Sequence, residues 1–104
     1  MVIMQGDQYS IPIEISLANG AAKPSDFADV EIIIAGIRKT MSKGEIGYDV
    51  DEAVFLFPIE QKETFMLNKR NITAQARVKL HNGDVVGRDL GDIEFIESSS
   101  RTVI

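Results

Sequence analysis

The chain has 104 residues, 44% apolar and 26% charged, with 16 acidic against 11 basic side chains and a formal net charge of −5. This is enough for one domain, 1–104, with a core of its own; the acidic balance disfavours binding to nucleic acid, and the lack of cysteine excludes disulfides and thiolate chemistry. No apolar run reaches the ~20 residues of a membrane helix, and Met1-Val2-Ile3-Met4 lacks the basic start of a secretory signal, so a reducing cytoplasm is the expected setting.

From Gln8 to Leu17, apolar Tyr9, Ile11, Ile13, Ile15 and Leu17 alternate with more polar neighbours, which predicts a strand with one buried face. Pro12 falls on its polar side and cannot donate to a ladder, so an edge position or a bulge is expected there. Asn19-Gly20 ends the run. Ala21 to Asp29 then reads as a crossing between sheets, with one helical turn capped by Ser25 or Asp26. Val30 to Ile37 is apolar on both faces, as a central strand would be. Ile46 to Val50 and Val54 to Pro58 follow as two more strands, and the short joints between the three predict a meander. Ile59 to Leu67 is the one helix-like segment, expected to cross one end of the fold with Ile59 and Phe65 or Met66 turned inward.

Ile72 to Leu90 carries the strongest pattern. Ile72, Ala74, Ala76, Val78 and Leu80 share one face of a strand, and Asn82-Gly83 supplies a chain reversal. A two-residue turn would set Arg77 opposite Arg88, two like charges. A three-residue loop, His81 to Gly83, avoids this and places Val86 and Leu90 beside Val78 and Ala74. Arg88 then shares a face with Ala76 and has to reach the rim or a partner. Gly91-Asp92 reads as a break before a last strand with Ile93 and Phe95 inward and Glu94 and Glu97 outward. Residues 98–101 read as a flexible spacer, and Thr102-Val103-Ile104 as an apolar end able to join a sheet edge.

About seven short strands with turn signals every ~8–12 residues predict an all-β domain, an immunoglobulin-like antiparallel β-sandwich with one short helical turn, with a small barrel as the alternative. Enzyme chemistry finds little support: the single histidine, His81, sits at a hairpin tip, and Asp49, Asp51 and Glu52 lack the glycine and distant glutamate of a calcium loop. No catalytic residue, cofactor or metal is assigned. Phe55 and Phe57 share a strand face and read as core, with a ligand-stacking platform as the alternative.

Gln5-Gly6-Asp7-Gln8-Tyr9, running into a strand and Asn19-Gly20, is similar to the opening of phage baseplate upper proteins. Pro58 to Thr64 resembles a Leu-Thr-Gln-Glu-Glu-Thr segment of short phage proteins, matching at Gln61, Glu63 and Thr64 and departing at Ile59, Glu60 and Lys62. Gln75-Ala76-Arg77-Val78 resembles the Gln-Val-Arg-Val strand that follows it there, and Gly83, Ser98 and Val103-Ile104 fall where that pattern places them. Together these stretches resemble small tail and baseplate proteins of bacteriophages and prophages of Gram-positive bacteria, which implies a virion-associated β-sandwich that assembles with tail or baseplate proteins, or with itself, and catalyses nothing. Candidate contacts are the edge strand at Pro12, the charged anchors Arg77 and Arg88, and the apolar end Val103 and Ile104. The alternative is a carbohydrate-binding or adhesin-like module that stacks sugars on Tyr48, Phe55 or Phe57.

Overall fold

In a computed structural model the described residues are 2–18, 20–67 and 70–98. The chain is all-β with one short helix. Its strands are β1 (Val2–Met4), β2 (Tyr9–Ile13), β3 (Ser16–Leu17), β4 (Gly20–Ala21), β5 (Asp29–Ile34), β6 (Ile37–Thr40), β7 (Gly47–Asp49), β8 (Val54–Ile59), β9 (Arg70–Lys79) and β10 (Val85–Ile96). Helix α1 spans Gln61–Phe65. One sheet has the order β1-β10-β9-β5-β6 and curls into a half-barrel; a second has the order β2-β8-β7; β3 and β4 form a small hairpin.

Alternation along the strands places the core. Val30, Ile32 and Ile34 of β5, Ala74, Ala76 and Val78 of β9, and Ile93 and Phe95 of β10 point inward from the large sheet. They meet Ile11 and Ile13 of β2 and Phe55, Phe57 and Ile59 of β8 in one buried cluster. Ala74 and Ala76 supply small surfaces where Phe55, Phe57 and Phe95 supply large ones, and such size complementarity fills an interior without voids. The edge strand with Pro12 is as expected: β2 borders its sheet, and Pro12 faces solvent opposite Leu56.

Lys39 closes one side of the molecule. Its stem comes from β6, in the large sheet, yet its Nζ donates to the Pro58 carbonyl and to Glu63 Oε1 at 3.2 Å and lies 5.1 Å from the Phe57 ring centre. Lys39 is therefore partly buried, while its neighbour Arg38 stays exposed. At one end of the fold α1 is tied down by Thr64, which is fully buried. Its hydroxyl accepts the Gly6 amide at 2.9 Å and lies 3.0 Å from both the Asp7 and Gln61 carbonyls, either of which can take its single proton. Glu63 Oε1 also accepts the Glu60 amide at 3.0 Å, fixing the first turn of the helix.

The structure corrects the sequence reading in three places and adds to it in two. Val30 to Ile37 is not one strand: Ala35 and Gly36 both take positive φ, 54° and 80°, and turn β5 back into β6. The expected meander is absent, because β5 and β6 pair in one sheet and β7 and β8 in the other, with the chain crossing between them after β6. Gly91-Asp92 is no break; β10 runs on with a bulge at Leu90, where the register shifts between Asp89 and Gly91. Val2 to Met4 forms a strand that pairs parallel with β10, burying Ile3 completely. Met66 points out to solvent while Phe65 packs on Gly6. Val103, Ile104 and the spacer beyond Ser98 lie outside the described residues.

Candidate functional site

The outer face of the large sheet is paved in rows. One row runs Thr40, Glu31, Arg77, Gly87 across β6, β5, β9 and β10; the next runs Arg38, Ile33, Gln75, Asp89. Neighbours on this face are paired, between rows as well as along them: Arg38 Nε lies 3.5 Å from Glu31 Oε2, Gln75 donates to Asp89 at 3.1 Å, and the Thr73 hydroxyl donates to Asp92 at 2.8 Å. Asp29, at the upper end of this face, accepts the Val30 and Ser42 amides on Oδ1 and the Ser42 hydroxyl on Oδ2. Burial alone would raise its carboxyl, but these hydrogen bonds and the nearby Lys79 ammonium hold it below the usual carboxylate range. Exposed pairs of this kind add little stability and mainly keep the face polar and ordered.

The β9–β10 hairpin has the register argued from charge. Leu80 N–H donates to Asp84 O at 2.8 Å and Gly83 N–H to Leu80 O at 3.0 Å, closing a loop over His81, Asn82 and Gly83 with Gly83 at φ 96°. Val86 faces Val78 and Arg88 faces Ala76, while Leu90 is the bulged residue and Gly91, rather than Leu90, faces Ala74. Arg88 is exposed, and its Nη1 donates at 3.2 Å to the carbonyl of its own neighbour Gly87. Arg77 is exposed on the opposite face of the sheet, so the two candidate anchors are not brought together, and Pro12 stands on the other sheet.

The remaining candidates resolve individually. His81 Nε2 sits 2.9 Å from the Ser25 carbonyl and ties the hairpin tip to the crossing loop. Asp49 Oδ1 accepts the Asp51 and Glu52 amides at 3.0 and 3.2 Å, so its carboxylate shapes the turn after β7. Among the described residues no three metal-ligating side chains gather in one place. Phe55 and Phe57 are fully buried and so are core, as first read, while Tyr48, half-buried, packs edge-on against Phe55 with ring centres 5.1 Å apart. Tyr9 is the more open ring, and burial, with Asp7 nearby, raises its phenol above the ordinary value.

What sequence reasoning missed is the edge of β10. Strand β1 pairs only with Glu94 to Ile96, which leaves Val85 to Asp92 with no strand on that side among the described residues. Hairpin closure at Leu80 and Asp84 sets the alternation along β10, directing the N–H and C=O groups of Val85, Gly87 and Asp89 away from β9 and into this open edge. No family model matches the chain, and no curated protein or solved structure is similar to it. No helix among the described residues is long and apolar enough to cross a membrane.

Proposed function

We propose that the chain is a non-enzymatic structural module of a bacteriophage or prophage tail or baseplate, working through protein–protein contacts. The single observation that supports assembly best is the β10 edge, open among the described residues, beside an ordered polar face, since backbone groups without a partner strand are a ready template for another chain. The phage setting rests on the sequence resemblance at Gln5 to Tyr9 and Gln61 to Thr64. Those stretches meet in the fold, where Thr64 binds the Gly6 amide and Gln8 Oε1 accepts the Gln61 amide at 3.3 Å. An immunoglobulin-like sandwich is the finer reading of the fold. It is supported by a five-stranded sheet whose first strand joins its last, opposed by a three-stranded sheet, with the helical crossover between β8 and β9.

Co-expression with the products of neighbouring tail or baseplate genes tests the assignment. Stoichiometric co-elution of the chain with at least one of them on size exclusion is expected. Failure to co-elute with any of them in pairwise trials overturns the tail assignment.

A further inference from the structure

We propose that β10 pairs with β10 of a second copy, antiparallel and about a two-fold axis at Gly87, joining two five-stranded sheets into one continuous sheet. The inference deepens the assembly reading and rests on it for its biological meaning, but its geometry comes from the edge alone. Other edges are poorer templates: β2 carries Pro12 at its fourth residue, β7 has three residues, and β6 has four. β10 offers Val85 to Asp89 as a regular stretch, ended on one side by the hairpin loop and on the other by the bulge at Leu90.

Charge narrows the register and the number of paired backbone groups decides it, since an axis at Val86 opposes no like charges but sets Asp89 against Gly83 of the hairpin loop. A two-fold axis through a sheet pairs residues of like face, and centring it on Arg88 or on Asp89 would set identical charges against each other. Centring it on Gly87 sets Val86 against Arg88 and Val85 against Asp89, with glycine facing glycine, so no like charges oppose. In that register the outward N–H and C=O groups of Val85, Gly87 and Asp89 all find partners in the second copy. Sterically the centre is free, since a Cβ added at Gly87 would meet nothing within 4 Å. The hairpin tip of the second copy would end beside Asp92, short of the Glu94 position where β1 begins to pair. Only the Arg88 guanidinium has to move, releasing the Gly87 carbonyl it now covers.

The chain has no cysteine, so one introduced residue reports the axis. In this pairing the two Gly87 Cα atoms would lie ~5.5 Å apart, within the range a disulfide spans. Gly87→Cys is expected to cross-link into a dimer on mild oxidation at least tenfold faster than Val50→Cys, a site 80% exposed and far from the edge. The unmodified chain is expected to sediment as a concentration-dependent dimer, and Gly87→Lys, which sets two ammonium groups across the axis, to weaken that dimer at least tenfold. Circular dichroism checks that the lysine variant folds; should it not, the cysteine pair decides alone. Equal cross-linking rates at positions 87 and 50 overturn the proposal, and so does a folded Gly87→Lys dimer of unchanged affinity or a monomer up to ~1 mM. Co-elution with a tail protein would survive any of those results, so failure of self-pairing is distinguishable from failure of the assembly reading.

Discussion

Gly6 is where one side chain more would cost most for its size. It sits at φ 90°, and an added Cβ would come within 2.9 Å of Phe65 Cζ, so Gly6→Ala combines backbone strain with a clash against the ring that seats α1. We expect a loss of ~2–3 kcal/mol in urea unfolding, falling to ~1–2 kcal/mol in a Phe65→Leu background where the clash is relieved and the strain remains. Asp29 gives a prediction in pH instead. Its folded carboxyl titrates below the unfolded one, so the stability it contributes is complete above the ordinary carboxylate range and is lost as pH falls through its lowered value. Asn at this position keeps the shape but not the charge. The stability gap between the parent and Asp29→Asn should therefore be widest near neutrality and shrink below about pH 4 in parallel urea titrations; a gap that is flat with pH would remove the carboxylate from the account.

Turns decide how much of the elements could be read from the residues. The β9–β10 register was legible because two arginines forbid one alternative, and the β2 edge because proline forbids a central place. The β5–β6 turn was not, since Ala35 at φ 54° takes a conformation that favours asparagine or glycine, and an apolar Ala-Gly in an apolar run gives no local sign of it. That mismatch predicts a stabilising change: Ala35→Asn should raise the unfolding free energy by ~0.5–1 kcal/mol, read as a higher urea midpoint at unchanged slope. Other elements were hidden by distance along the chain. β1 exists only through a parallel partner some ninety residues away, and buried Thr64 finds the Gly6 amide 58 positions off, so neither leaves a periodic trace near its own residues. The candidate site was hidden for the same reason, because an open edge depends on strand order and not on any motif in β10 itself.

At the scale of the molecule, two features pull against each other: a strand edge that invites a second copy and a net charge of −5 that repels it. The proposed contact is built from backbone hydrogen bonds, with glycine facing glycine and valines facing Arg88 and Asp89, so no ion pair lies directly across it for salt to weaken. Screening should act mainly on the long-range repulsion between two acidic bodies, whose Debye length falls from about 20 Å to about 7 Å as salt rises from ~20 to ~200 mM. The dimer should therefore tighten by roughly threefold over that range in sedimentation equilibrium, and tighten again as pH approaches the sequence isoelectric point near 4.7. An interface that joined Arg38 and Arg77 of the outer face to acidic side chains of a second copy would respond with the opposite sign, weakening as salt rises. The direction of the salt dependence thus separates pairing through the β10 edge from pairing through the charged face, using the unmodified chain.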